Sequence, residues 1–234
     1  MIQEVKLHKI KAPRVTLYAA DSVNPDLAVQ ALKESSKNIE FGKIILFSHI
    51  KPYNLPDDFE FCKINQLNSS WDYSAFMLNH LNKFITTDFC LSVHCDGYII
   101  NPDKWTDDFL NYDYIGAPWT VGGPANYGPE RVGNGGVSLR SKKLLRESEV
   151  LQCVSHEDVV ICCINRKMLE SKGIDFAPIN IAAIFSSEIY CSDLGINPET
   201  DCLAFHGKNY QSYQEVKNKY LIDSLNEEKI NYFQ

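Results

Sequence analysis

Nothing in the 234 residues approaches the roughly 20 consecutive apolar positions that a helix needs to cross a bilayer. The opening Met1-Ile2-Gln3-Glu4-Val5-Lys6 lacks the apolar stretch of a signal peptide. Positive charge is in short supply: 23 Lys and Arg face 30 Asp and Glu, for a net charge of −7. That balance excludes a duplex nucleic-acid partner, which demands a basic face, although a local basic pocket stays compatible with it. There is no pair of CxxC motifs, so no structural zinc is expected. There is no Gly-x-Ser-x-Gly elbow either, which removes the usual serine hydrolase. Together these absences point to a reduced, cytoplasmic protein without a transmembrane segment. Peripheral contact with the inner face of a membrane is left open.

What the chain does have is material for a full core, with 44% hydrophobic and 23% charged residues. Its length fits one larger domain, and no repeat, low-complexity tract or linker divides it. Residues 1–234 therefore read as a single domain. Within it, 208–234 forms a C-terminal helical extension, with a mostly polar helix from about Tyr213 to Tyr232. The cysteines (Cys62, Cys90, Cys95, Cys153, Cys162, Cys163, Cys191 and Cys202) sit mostly among apolar residues, as buried thiols do.

The first half alternates strand and helix. Val15–Ala19 is β-prone, Pro25–Ser35 has helical spacing behind a proline, and Lys43–Ser48 is apolar on both faces, as parallel strands are. A short strand at Phe61–Ile64 and a helix near Tyr73–Leu81 follow, then a strand at Phe89–Val93 that runs into His94-Cys95-Asp96. This rhythm predicts an α/β fold with a parallel sheet, whose ligand crevice opens at the carboxyl ends of the strands. Beyond it, Gly116 to Pro129 reads as loop and Val137–Arg140 as a strand followed by a short helix from Ser141. A long helix is expected from Ser155 to about Lys172, capped by Ser155, boxed by Asp158 and stopped by Gly173.

Four ordered stretches carry the chemistry. Side chains at i and i+2 of an extended segment share a face, so His94 and Asp96 are expected to point together. A carboxylate there suits Mg²⁺ or Mn²⁺, and Mn²⁺ accepts imidazole; equally, Asp96 can simply cap a turn at Gly97. Gly133-Asn134-Gly135-Gly136 allows close backbone approach to a ligand, but Asn-Gly is also a hairpin signal. Trp119 offers an indole face for a sugar or for the core. Glu157 and Asp158 open a helix, where acids are favourable without any catalysis, yet a carboxylate there can also take a proton from a hydroxyl. His206, in Ala204-Phe205-His206-Gly207, can pair with Asp96 as a second metal ligand, and Lys208 beside it can neutralise phosphate.

On these residues the chain resembles glycosyltransferases of the GT-A fold. More narrowly it resembles a bacterial and viral group with Asp-Tyr-Ile-Gly-Ala-Pro-Trp, here Asp113–Trp119, followed by Gly-Asn-Gly-Gly-x-Ser-Leu-Arg-Ser, here Gly133–Ser141. The resemblance runs from about Val15 to His206. It implies a mixed, mainly parallel sheet flanked by helices, a nucleotide-sugar donor (a UDP-sugar), a glycan acceptor, and Mn²⁺ or Mg²⁺. It places the metal on Asp96 and His206, with His94 standing where the metal motif usually has an acid. Asp158 becomes the base of an inverting transfer, and Gly135 and Gly136 shape the sugar site. Trp119 and Glu157 fall to the acceptor side, and Ala19, Ala20, Asp21 and Tyr73 hold the nucleotide.

Two alternatives stand beside it. A nucleotidyltransferase needs a glycine-rich phosphate loop after the first strand, and Ala20-Asp21-Ser22-Val23-Asn24-Pro25 has no glycine. A non-catalytic sugar- or nucleotide-binding module has no need of Asp96, Asp158 and His206 together.

Overall fold

The computed structural model describes residues 9–121 and 131–207. Its larger sheet contains β1 (Ile10–Ala20), β2 (Ile39–Ser48), β3 (Glu60–Lys63), β4 (Phe89–Ser92), β6 (Tyr114–Ile115) and β7 (Leu139–Ser141), in the order β3-β2-β1-β4-β7-β6. Strands β1 to β4 are mutually parallel, β7 runs antiparallel to β4, and β6 antiparallel to β7. A second sheet, β5-β9-β8, pairs β5 (Gly97–Ile99), β9 (Ala204–His206) and β8 (Ser186–Ser187).

Both faces of the larger sheet are buried, which is why its central strands read as unbroken apolar runs. Alternate residues of β1 serve opposite layers. Leu17 and Ala19 pack with Ala28 and Leu32 of helix α1 (Pro25–Ser36). Tyr18 and Ala20 pack with Tyr73, Phe76 and Met77 of helix α2 (Ser70–Asn79). With helices on opposite faces, the carboxyl ends of the adjacent strands β1 and β4 part around a crevice, the usual ligand position in an open α/β sheet. Asp21 follows β1 and His94 follows β4 at this edge.

The expected elements of the first half are present, each within a few residues of its expected bounds. The second half departs from expectation in three places. The strand expected at Val137–Arg140 is Leu139–Ser141, and the Ser141 hydroxyl caps helix α3 (Lys142–Ser148) by accepting from Leu144 N. The continuous helix from Ser155 to Lys172 is instead α4 (Glu157–Val159), a π turn (Val160–Ile164) and α5 (Arg166–Ser171). Asn165 causes the break: its backbone N–H and its side-chain amide both donate to Val160 O at 3.0 Å, widening the turn to five residues. Ser155 is not the cap; His156 holds that position and makes no side-chain cap bond. Gly173 ends the helix at φ +79°, as expected. The third departure is the small second sheet, which the sequence reading omits.

The cysteines are free thiols; Cys90, Cys162, Cys191 and Cys202 are buried and the other four half-buried. Among the described residues no helix is long and apolar enough to cross a membrane. Lys208, the 208–234 extension and residues 122–129 of the expected loop lie outside the described residues.

Candidate active site

His94 and Asp96 meet by a route other than strand pleating. His94 N donates to Gly97 O at 2.9 Å and Gly97 N to His94 O at 3.1 Å, closing a tight turn over Cys95 and Asp96. Strand β5 starts at Gly97 and pairs with β9 so that Gly97 lies opposite His206, while Gly207 N donates to Asp96 O at 2.8 Å. The second sheet thus delivers His206 to Asp96 from the far end of the chain. One ligand atom from each of His94, Asp96 and His206 lies within 4.8 Å of the others.

Each imidazole is held from behind. His94 Nε2 lies 2.7 Å from the hydroxyl of buried Tyr73, and His206 Nδ1 lies 3.0 Å from Glu188 Oε1. His206 therefore keeps Nε2 for an ion, and that nitrogen is 3.4 Å from Asp96 Oδ1. Histidines that bind metals are typically oriented by such a partner on the other nitrogen, so the donor set fits a divalent cation. Burial holds the His94 ring neutral, its pKa pushed down to about 3, with His206 adding to the effect. Burial opposes charge on His206 too, but Asp96 and Glu188 outweigh it and lift that ring to about 10. Asp96 shows the reverse balance: His206 and His94 overcome burial and lower it to about 2. An arriving ion must displace the His206 proton.

The glycine loop joins this cluster to the expected base. Asp158 Oδ2 accepts from Gly135 N at 3.0 Å, and Oδ1 accepts from Val159 N at 2.7 Å. A methyl group at Gly136 would stand 2.4 Å from the His206 ring, and one at Gly135 would stand 1.9 Å from Glu157 Oε1. Packing, rather than unusual backbone angles, requires these two glycines; in this loop it is Asn134 that takes positive φ, at 54°. Burial raises Asp158 to about 6, with Glu157 contributing. It is thus a stronger base than a carboxylate whose only influence is a helix dipole.

Beneath the loop lies a buried polar layer. Arg140 Nη2 donates to Glu157 Oε1 at 3.0 Å, Arg140 Nε to Ser138 Oγ at 3.2 Å, and Ser92 Oγ to Gly135 O at 3.0 Å. Ser74 Oγ donates to Glu157 Oε2 at 3.2 Å, and Tyr114 OH reaches the carbonyls of Gly133 and Asn134. Glu157, expected on the acceptor side, lines the cleft with both carboxylate oxygens already engaged, which makes it a support for the loop.

Two adjoining clefts collect the expected residues. Ala19, Ala20, Asp21, Tyr73, His94, Asp96 and His206 line the first. The second, an open space of about 690 Å³, is lined by Trp119, Gly135, Gly136, Glu157 and Asp158. Tyr73, His94 and His206 belong to both. Sequence reasoning missed Glu188 and Ser74, which have no local motif, and gave no role to Arg140, although it stands in the Gly133–Ser141 stretch. Trp71, half exposed, stacks at 6.3 Å on His156, which lines the second cleft.

A family profile described as protein of unknown function (DUF5672) matches residues 58–206. The chain belongs to that family. The match takes in α2, the His94–Asp96 turn, the glycine loop, Asp158 and His206. No curated protein matches the chain in sequence. Among solved structures it is similar to a galactosyltransferase, LgtC, in complex with donor and acceptor sugar analogs. Identity there is 14% and the TM-score 0.53, over 88% of this chain and 95% of that one. An active-site mutant of LgtC gives 13% identity and a TM-score of 0.56, over 92% and 98%. At these identities the likeness shows the fold, which in this DUF5672 member is GT-A-like.

Proposed function

We propose that the protein is a glycosyltransferase that moves a sugar from a nucleotide-sugar donor, with UDP-sugars as the first class to test, onto a glycan hydroxyl with inversion. One observation carries this reading: Asp158, a carboxylate of raised proton affinity, is tied through Gly135-Gly136 to a His-Asp-His cluster in adjoining clefts. A module that only binds has no use for such a base.

In this scheme the first cleft takes the nucleotide, with Ala19, Ala20, Asp21 and Tyr73 as its walls, and Gly135-Gly136 borders the sugar. Trp119 faces the acceptor side. Asp96 and His206 would hold Mn²⁺ or Mg²⁺, which would supply positive charge against the diphosphate. The acceptor oxygen attacks the anomeric carbon as the bond to the diphosphate breaks, and Asp158 takes the hydroxyl proton. Lys208 is assigned to the phosphates. A single domain working in the cytoplasm or at the inner face of a membrane completes the scheme.

The test is a thermal-shift panel of UDP-, GDP-, CDP- and dTDP-sugars with and without Mn²⁺, followed by assay of nucleotide release. Stabilisation by one donor class and release of its nucleoside diphosphate are expected. Stabilisation without any release, even with offered glycans, favours a binding module. A blank panel removes the nucleotide-sugar reading.

A further inference from the structure

We infer that the His94-Asp96-His206 site selects first-row transition ions over Mg²⁺ and Ca²⁺, and that His94 sets this choice. The inference deepens the reading above, since it concerns the same cluster, but its test requires no sugar transfer.

The argument begins with the donor atoms. Mg²⁺ and Ca²⁺ are hard ions that take oxygen ligands, and Mg²⁺ gives up its waters reluctantly. Two imidazole nitrogens and one carboxylate oxygen suit Mn²⁺, Fe²⁺, Co²⁺ or Zn²⁺ better, with affinity rising toward the later metals. Charge leads to the same conclusion: when both rings are neutral, as metal ligands must be, Asp96 alone brings a negative charge to the ion. A hard cation gains least from such a set.

Geometry shows that His94 is positioned to participate. Its Nε2 is fixed by the Tyr73 hydroxyl at 2.7 Å, and its ring stands edge-on to that of His206 with centroids 5.1 Å apart. Tyr73 is itself buried in the α2 layer, so the His94 ring cannot turn away without breaking that bond. Glu188 fixes His206 in the same manner from the opposite side. The 3.4 Å between His206 Nε2 and Asp96 Oδ1 matches the edge between two ligands, each roughly 2.1 Å from a shared ion.

The experiment titrates the purified protein with Mn²⁺, Co²⁺, Zn²⁺, Mg²⁺ and Ca²⁺, alone and with UDP, by calorimetry and by the electron-spin signal of free Mn²⁺. Mn²⁺ and Co²⁺ should bind about 100-fold or more tighter than Mg²⁺, and bound Co²⁺ should show visible absorption from nitrogen ligands. In His94→Asp the gap should narrow by about tenfold, chiefly because Mg²⁺ gains. If that variant does not fold, His94→Asn, a neutral oxygen donor, should also weaken Co²⁺ binding and change its spectrum. Mg²⁺ within about tenfold of Mn²⁺ in the unaltered protein overturns the inference, as does a gap that no His94 variant changes. Failure to bind any ion also overturns it, while ion-independent sugar transfer would survive. Clear selectivity in a protein that binds no nucleotide-sugar leaves the inference standing and sinks the proposed function.

Discussion

Arg140 Nη2 lies 3.0 Å from Glu157 Oε1, in an ion pair almost wholly shut off from water, directly beneath the glycine loop. Arg140 also donates to Ser138 and stacks over the Tyr114 ring at 5.7 Å, so the cation is committed to its place. Removing its partner leaves a buried charge uncompensated. Glu157→Ala should therefore destabilise the fold by about 3–5 kcal/mol in urea unfolding. It also removes the carboxylate that fills the space beside Gly135, so Asp158 should lose definition with it. A loss below about 1 kcal/mol would show that the pair contributes little.

Glu157 also shows the limit of what the sequence made legible. The alternating first half could be read because parallel strands buried on both faces, such as Lys43–Ser48, keep a continuous apolar pattern. Asp96, Asp158 and His206 could be read because their motifs stand in order. Glu157 was visible as an acid at a helix start, but its engagement by Arg140 and Ser74 is a tertiary fact with no local trace. Strands β5, β8 and β9 have two or three residues each, too few for any periodicity to register. Glu188, just after β8, could not be found because its significance lies in one contact with the His206 ring on β9. The π turn escaped notice because Val159-Val160-Ile161-Cys162 looks like any apolar helix segment until Asn165 reaches back five residues.

Asp21 supplies a test of pH dependence. Burial raises its pKa from 3.8 to about 6, against the pull of hydrogen bonds from Asn24 N and Val23 N. The folded state therefore binds the proton more tightly than the unfolded chain. Stability from this group is complete below pH 3.8 and is lost as pH climbs through about 6. Both backbone N–H groups donate to the same oxygen, Oδ1, at 2.7 Å, so an amide can keep both bonds. Asp21→Asn should thus raise stability by up to about 2–3 kcal/mol at neutral pH and change little near pH 4. Unfolding curves recorded with chelator at both pH values check this. Equal effects at the two would place the cause elsewhere.

Glu188 should act through His206. With its carboxylate on Nδ1, the ring keeps a proton on that side when an ion displaces the one on Nε2, the nitrogen beside Asp96. Glu188→Ala should weaken Mn²⁺ binding by about 10–100-fold, and Glu188→Gln, which retains an acceptor oxygen, by less. Calorimetric titration of each variant measures it directly. Unchanged affinity in Glu188→Ala would mean that strand pairing alone orients the ring.

Asp158 makes two separable demands of an experiment, because it both receives the Gly135 N–H and is proposed to take a proton. Asp158→Asn retains one acceptor oxygen for the loop and removes the base. Donor affinity should stay within a few-fold while turnover falls by roughly 10²–10⁴. The pH profile separates these effects further. A base must be ionised, so the unaltered enzyme should lose kcat/KM as pH drops through about 6, the value to which burial and Glu157 raise this group. The residual activity of Asp158→Asn should lack that limb. If the limb persists, another group is accepting the proton. If donor binding collapses together with turnover, Asp158 is holding the loop rather than carrying out the chemistry.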